Sequence, residues 1–481
     1  MIVYGREKNM LTGNMVETFV GHGGRHVAKS EGRRMTVDEV RRYLSQANFT
    51  HVKVGLTDLD GVLRGKHISK QKFISALDRG ISFCDVIVGW DCNDQLYDNG
   101  FATGWHTGYP DGKIRIIPET MRSLPLEGGL PFFLCEFDGP TADVCPRNLL
   151  KRVLHRLEVL GYEAFAGVEY EFFMFNETPD SVRAKGYRNL ETLTPGYFGY
   201  SLLRSSAHSE LYDDLLDLCE KMEMPLEGLH TETGPGVIEA AIAYDGALRA
   251  ADNAALFKTF VKVLAQRRKL MACFMAKWSE QWPGQSGHLH ISLRSRAGGN
   301  AFHDADADMT ISRTMRHFIG GMQKQLPNLV CMAAPTINAY TRLVPGYWAP
   351  TTSSWAVENR TAALRAIVGD ASSQRIEYRI ASADANPYLA LSAALASGIW
   401  GIENEVEPTA PVSGNAYNDD AEMLLPTNLA DAARNFKSST VAKDLFGEAF
   451  VRHFAATREW EAREFQKHVT DWELKRYFEI I

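Results

Sequence analysis

Hydrophobic positions begin to recur with a regular period at Thr36. The preceding stretch, residues 1–34, mixes Gly, His and basic residues without apolar periodicity and reads as a loose N-terminal tail. At Thr36 a T-x-x-E capping box with Glu39 opens a short helix whose Val37, Val40 and Leu44 fall on one side. Two runs with strand character, 52–59 and 62–68, meet at Asp60-Gly61 and predict a hairpin. A helix over 70–79 follows, with short strands over 113–117 and 131–137, and the stretch 140–146 reads as a boundary. These elements make a small α+β domain over 35–143. Beyond it, long helices over 147–160, 207–222, 245–272 and 308–326 alternate with strands polar on one face. The chain ends in a helical region over 448–478, so a larger α+β domain spans 144–481. No repeat of solenoid length occurs.

Of the 481 residues, 45% are hydrophobic, ample for a sizeable core. The charge balance, 52 − 59 = −7, leaves no excess of cations for a phosphate polymer, so no nucleic-acid partner is expected. No membrane partner is expected either. The most apolar stretch, 388–402, is interrupted by Ser392, Ser397, Gly398 and Gly401, and it is shorter than the roughly 20 residues a span requires. Seven cysteines without a C-x-x-C pair suit a reducing compartment, and no apolar run follows Arg6 and Lys8 as a signal peptide would need, which predicts a cytoplasmic protein.

Four strand-like segments carry the chemistry. Side chains two apart on a strand share a face, so Glu169 and Glu171 point the same way. The run from His230 to Glu239, with Glu227 just before it, adds Glu232 and Glu239 around a Gly-Pro-Gly turn. His288, His290 and Ser292 share one strand face, and Arg375, Glu377 and Arg379 another. Each segment alone also reads as a solvated or internally hydrogen-bonded face. Together, Glu169, Glu171, Glu232, Glu239 and Glu377 with His288 form a set dominated by hard oxygen, suited to Mg²⁺ or Mn²⁺ and sufficient for two ions or more. Arg342, Arg360, Arg365, Arg375 and Arg379 supply the opposite sign, and arginines beside a metal cluster are what phosphoryl transfer needs. The run Gly61-x-x-x-Gly65-Lys66-His67 lacks the spacing and ending of a phosphate-binding Walker loop. Asp58-x-Asp60-Gly61 imitates a phosphatase nucleophile strand, but the doubly wound pattern such an enzyme needs is absent, and an Asp-Gly hairpin turn accounts for it.

These residues resemble glutamine synthetase, in motif order from about residue 36 to 400. The resemblance lies in G-x-E-x-E-F at Gly167–Phe172, the acidic segment Glu227–Glu239, H-x-H-x-S at His288–Ser292 and N-x-Y-x-R-L-V-P-G at Asn338–Gly346. N-R-x-x-x-x-R at Asn359–Arg365, R-I-E-x-R at Arg375–Arg379 and N-P-Y at Asn386–Tyr388 complete it. It implies a β-grasp-like N-terminal domain and a catalytic domain whose antiparallel sheet lines a funnel. It also implies a homo-oligomer, a dodecamer of two stacked hexameric rings with active sites between subunits. By the same resemblance Glu171, Glu232 and Glu239 hold an ion near glutamate, and Glu169, His288 and Glu377 an ion at the ATP phosphates, about two or three Mg²⁺ or Mn²⁺ ions per site in all. Glu227, Ser292, His290 and Arg375 contact the nucleotide, Arg342, Arg379 and Gly284 bind glutamate, and Arg360 and Arg365 neutralise the transferred phosphoryl group. The implied reaction activates the γ-carboxylate of L-glutamate as γ-glutamyl phosphate, from which an amine displaces phosphate.

The sequence departs from the family at the amine. Ammonia-using members carry Glu in P-G-[FY]-E-A-P as the ammonium-binding base, where this chain reads Pro345-Gly-Tyr-Trp348-Ala-Pro350. Val237 replaces the usual Gln of G-P-G-Q-x-E. Asp91 is the one acid that matches the remaining ammonium-site carboxylate, reaching in from a neighbouring subunit. An indole cannot take a proton, and its apolar face suits an aromatic or alkyl group. The expected acceptor is therefore an apolar, aromatic primary amine such as aniline, then an aliphatic mono- or polyamine, then ammonia. A catalytically silent homologue is the alternative from another class, and the full ligand set argues against it. Tyr417 reads as an exposed loop tyrosine.

Overall fold

A computed structural model describes residues 35–418 and 424–481, so the expected tail over 1–34 lies outside the described residues. Order starts at the Thr36 capping box: its hydroxyl accepts the Glu39 N–H at 3.3 Å while Glu39 Oε2 accepts the Thr36 N–H at 2.9 Å. The helix Val37–Gln46 buries Val40 and Leu44.

The first sheet contains β1 (His51–Thr57), β2 (Leu63–Ser69), β3 (Ile81–Cys84), β4 (Asp111–Ile116), β5 (Arg122–Leu124) and β6 (Leu130–Phe137). Its order is β2-β1-β6-β4-β3, with β5 on β6; β1 and β6 run parallel and the other pairs antiparallel. β1 and β2 form the expected hairpin, and the Asp58–Asp60 loop between them is a structural brace. Asp58 accepts the Val62 N–H and Arg64 Nε, each at 2.8 Å, and Asp60 accepts Arg458 from the C-terminal helix Glu448–Phe465 at 2.7 Å. Burial, then the proximity of Asp60, raises the Asp58 carboxyl to about 7.

β6 is buried on both faces. Phe133, Cys135 and Phe137 pack with Val52, Val54 and Phe73, while Leu130, Phe132 and Leu134 join the large core of the following segment. There Phe132 meets Phe260 of the helix Ala247–Arg267 edge to face at 6.2 Å. Arg147 donates to Glu136 of β6 at 2.6 Å and to Asp252 of that helix at 2.9 and 3.0 Å. This buried pairing satisfies charges that would be costly alone.

The second sheet contains β7 (Tyr162–Phe175), β8 (Leu226–Thr231), β9 (Val237–Gly246), β10 (Met271–Cys273), β11 (Gly287–Ser295), β12 (Trp355–Val357), β13 (Leu364–Ile367) and β14 (Arg375–Tyr378). The order is β12-β13-β14-β11-β7-β9-β8, with β10 on β7, antiparallel except between β12 and β13. Behind its apolar face lie the helices Ala247–Arg267, Arg313–Leu329 and Pro387–Glu403. The last of these is the apolar stretch of the sequence, buried along nearly all its length. It approaches Arg313–Leu329 so closely that a Cβ on Gly321 would meet Gly401 Cα at 2.5 Å, which requires glycine there. Among the described residues no helix is long and apolar enough to cross a membrane.

Three long helices differ from the pattern-based reading. The one expected over 207–222 is Ser209–Lys221, preceded by a separate turn Leu202–Ala207. The one over 308–326 begins only at Arg313, because Met309 and Thr310 are left-handed (φ 52° and 57°) and Ser312 caps the new start. The one over 245–272 is Ala247–Arg267 and ends before β10 starts at Met271. The expected C-terminal helical region holds two helices, Glu448–Phe465 and Asp471–Tyr477, the second opened by a capping box at Thr470.

Candidate active site

The strand register assembles the polar faces into one surface. Directly opposed residues of a sheet point to the same side. Arg365 of β13 lies opposite Glu377 of β14, and Glu377 opposite His290 of β11. His288 lies opposite Glu169 of β7, Glu171 opposite Glu239 of β9, and Glu239 opposite His230 of β8. The alternate positions Val168, Tyr170, Phe172, Leu289, Ile291, Ile376 and Tyr378 are buried in the core behind. Two-residue alternation thus places these charged side chains, His230 excepted, on the wall of one cavity of about 540 Å³.

Around Glu377 the site is cationic. Its carboxylate pairs with Arg379, with Arg365 Nη1 at 2.9 Å and with His288 Nδ1 at 3.4 Å. Burial works against its charge, but His288, Arg379, His290 and Arg365 outweigh that and hold the carboxyl down at about 2. Glu169 lies 3.5 Å from His288 Nδ1 and 3.4 Å from His290 Nε2. Burial opposes its charge too, yet the hydrogen bonds from both imidazoles keep it well below the usual range. Arg375 Nε donates to His290 Nδ1 at 3.2 Å, which leaves the His290 proton on Nε2, facing Glu169.

Around Glu239 the site is anionic. Burial and the nearby Glu169 and Glu171 raise its carboxyl to about 8, despite His230 Nε2 at 3.2 Å. His230 is raised to about 9, its burial overcome by the bond to Glu239. Glu232 is held by Thr233, accepting its N–H at 2.8 Å and its hydroxyl at 2.6 Å, and Glu171 accepts the Ser286 N–H at 2.7 Å.

Two groupings, Glu169 with His290 and Glu377, and His230 with Glu232 and Glu239, each bring ligand atoms within 4.8 Å of one another. The donors are mostly carboxylate oxygens, the set a hard divalent ion selects. A cluster in which one carboxylate must retain a proton fits the binding of a cation, whose charge removes that need.

The arginine side is equally fixed. Buried Arg342 donates to the carbonyls of Ile380 and Arg379 at 3.0 and 3.1 Å, and burial lowers it to about 10. A Cβ on Gly284 would meet Arg342 Cγ at 2.6 Å, so glycine lets the cavity floor close on that arginine. Arg360, Arg365, Arg375 and Arg379 also line the cavity, together with Trp348.

Of the residues singled out by sequence, Asp91, Glu227 and Ser292 lie away from this chain's cavity lining. Asp91 is buried, its Oδ1 accepting the Asn93 and Gln95 N–H groups at 2.8 Å each, an Asx turn that occupies one carboxylate oxygen. Glu227 falls where the β8–β9 register shifts, and Ser292 is one strand period beyond His290. Tyr417 is corrected: its hydroxyl is buried, and the side chain feels the charges of Arg379 and Arg342. The cavity also contains Tyr200, Thr233, Pro283, Ser286 and Tyr347, none of them predicted. Ser286 was within reach, since it lies two positions before His288 on the same face. Tyr200 sits in an irregular segment with no periodicity to mark it.

Comparison with known proteins gives the same family. The model of the glutamine synthetase catalytic domain matches residues 143–477. The chain belongs to the glutamine synthetase family. It is a ligase of the glutamine synthetase type, joining glutamate to an amine with ATP. It is 44% identical to "Type-1 glutamine synthetase 2" of Dictyostelium discoideum, over 89% of this chain and 84% of that protein. It is 36% identical to "Glutamate--isopropylamine ligase" of a Pseudomonas species, over 94% of this chain and 100% of that protein. The solved structure "Apo GmaS without ligand" superposes with a TM-score of 0.79 at 26% identity, covering 92% of this chain and 99% of that one. The glutamine synthetase sheet, whose members use ATP and divalent metal, is thus the frame in which the two carboxylate groupings stand.

Proposed function

We propose that this glutamine synthetase homologue joins the γ-carboxylate of L-glutamate to an organic primary amine with an apolar substituent, an arylamine such as aniline first and an alkylamine second. The observation that carries this reading is Trp348 on the cavity wall, in the segment where ammonia-using relatives place a carboxylate. Arylamines are weak bases, largely neutral near pH 7, and reach an acyl phosphate with a free lone pair and no need of an anionic site. The name of the isopropylamine-using relative supports an organic acceptor.

In this reading Arg342 and Arg379, with the backbone at Gly284, hold glutamate's carboxylates, and Glu171, Glu232 and Glu239 hold the ion beside it. Glu169, His288 and Glu377 hold the ion at the ATP phosphates. Glu227, Ser292, His290 and Arg375 face the nucleotide. A bound divalent ion neutralises charge on the phosphate oxygens. Arg360 and Arg365 stabilise the transferred phosphoryl group as the γ-carboxylate attacks the γ-phosphorus of ATP and ADP leaves; the amine then attacks γ-glutamyl phosphate and expels phosphate, which leaves carrying the displaced N–H proton as hydrogen phosphate. Asp91 of a neighbouring subunit completes the site in a dodecamer of stacked rings; an active monomer in light scattering would contradict that arrangement.

The decisive assay follows phosphate release with glutamate, ATP, Mg²⁺ and aniline, isopropylamine, putrescine or ammonium. Faster amide formation from an apolar amine than from ammonium supports the reading. The 44% identity to a protein named as a glutamine synthetase favours ammonia as the second reading, and preferential glutamine formation would establish it.

A further inference from the structure

We infer that the cleft between the first sheet and the helix Glu448–Phe465 is a binding site for an organic ammonium cation, separate from the catalytic cavity. It is a second cavity, of about 670 Å³, lined by Asp85 just after β3, by Asp111 at the start of β4, by the turn that follows β6 and by Ala449 of the helix.

The carboxylates of this cavity are unequally compensated. Asp138 pairs with Lys113 Nζ at 3.2 Å, and Asp143 lies beside Arg152, whose Nη2 donates to the Asp143 carbonyl at 2.9 Å. Among the described residues neither Asp85 nor Asp111 pairs with a cation. Asp85 is only 5% exposed. Its Oδ1 accepts the Thr103 hydroxyl at 2.8 Å, and its other oxygen has no donor among the described residues. Burial raises the Asp85 carboxyl, the Thr103 bond offsets part of that, and the charge of Asp111 adds to it. A carboxylate so buried ordinarily has both a counter-charge and a donor for each oxygen. Asp85 lines a cavity that can admit one group bringing both, and an ammonium N–H does so.

A divalent metal fits less well, because it requires several oxygens and no third ligand joins Asp85 and Asp111 among the described residues. The rest of the wall is apolar at Phe101, Pro110, Pro140, Val144 and Ala449, which gives an organic substituent surface to cover.

The cavity also lies at the base of the loop that carries Asp91. Asp85 opens the turn Asp85–Val88, and the chain returns at Phe101–Thr103. Thr103 is bonded to Asp85, and His453 ties the two limbs again, through the Val88 carbonyl on one side and the Phe101 and Ala102 N–H groups on the other. A ligand held between Asp85 and Phe101 therefore bears on both limbs. On the assembly proposed above, Asp91 completes a neighbour's site, so occupancy is expected to change the rate of amide formation.

The probe is N,N-dimethylbenzylamine, which is protonated at neutral pH, carries one N–H donor and cannot form a stable amide. Isothermal titration calorimetry on the full chain with Mg²⁺ compares wild type, Asp85→Asn, which keeps the Thr103 bond without the charge, and Asp111→Asn, at an exposed position. Benzyl alcohol is the neutral control. Wild type is expected to bind the probe with Kd on the order of 1 mM or tighter. Asp85→Asn should weaken binding at least roughly tenfold and Asp111→Asn roughly threefold, and benzyl alcohol should not compete. The probe should also change the steady-state rate with isopropylamine at least about twofold in wild type and not in Asp85→Asn. Binding that is undetectable, that is unaltered in both variants, or that benzyl alcohol matches overturns the site, as does a probe that only competes with the amine substrate, equally in wild type and Asp85→Asn. If Asp85→Asn does not fold, Asp111→Asn decides. Asp85-dependent binding with an unchanged rate supports the site and contradicts its link to Asp91.

Discussion

The carbonyl oxygen of Trp348 accepts a hydrogen bond from Arg379 at 3.3 Å, while the same guanidinium pairs with Glu377 through its other nitrogen. One planar fork thus couples the loop at the proposed amine position to the strand that carries a proposed metal ligand. Lysine offers a single point of charge and cannot span both partners. Arg379→Lys is therefore expected to raise KM for glutamate at least roughly tenfold, about 1.4 kcal/mol of lost binding, and to raise KM for the amine as well. Steady-state kinetics with each substrate varied in turn checks this.

The carboxylate cluster makes the metal-free protein sensitive to base. Glu239, raised to about 8, and His230, raised to about 9, both bind protons more tightly folded than unfolded. Each therefore contributes stability at low pH that disappears as pH rises through its folded value. In chelator, the melting temperature should fall as pH rises from about 5 to about 9, and Mg²⁺ should restore most of that loss. Glu239→Gln should flatten the metal-free slope. Thermal melts across pH, with and without Mg²⁺, measure it.

His453 behaves oppositely. It is wholly buried, its Nδ1 accepting the N–H groups of Phe101 and Ala102 at 3.1 Å each and its Nε2 lying 2.7 Å from the Val88 carbonyl. Nδ1 cannot hold a proton while accepting two bonds, so the ring is neutral, and burial lowers it to about 4. Stability from this group is complete above the unfolded value near 6.5 and is lost as pH falls toward 4. His453→Gln is expected to be less stable at pH 7 and to lose less stability on acidification, as denaturant midpoints would record.

Arg458 tests how the N-terminal hairpin is secured. It is wholly buried, bonded to Asp60 and to the Pro335 carbonyl at 2.7 Å each. Arg458→Met strands Asp60 beside the buried Asp58 and should cost about 3–5 kcal/mol. Arg458→Met combined with Asp60→Asn is expected to recover part of it, read from urea denaturation.

The hydrophobic pattern made much of this legible. Alternation in β7, β11 and β14 put Glu169, His288 and Glu377 on one face before any pairing was known, because a strand's period fixes sidedness. Pairing itself was not legible. That His290 faces Glu377 and His230 faces Glu239 depends on register between strands distant in sequence. The Asp58–Asp60 loop looked like a turn and is one, but its partner Arg458 is nearly four hundred residues away and left no local signal. Tyr200 went unmarked and Tyr417 read as exposed for a related reason: both lie in short turns, where neither helical nor strand period operates.

If the Trp348 indole selects the amine, replacing it with the carboxylate found in ammonia-using relatives should exchange the acceptor. Initial rates of amide formation with aniline, isopropylamine and ammonium are compared for wild type and Trp348→Glu at saturating ATP, Mg²⁺ and glutamate. Wild type is expected to prefer the apolar amines, and Trp348→Glu to lose them while gaining use of ammonium. A wild-type enzyme that makes glutamine from ammonium faster than any organic amide would contradict it.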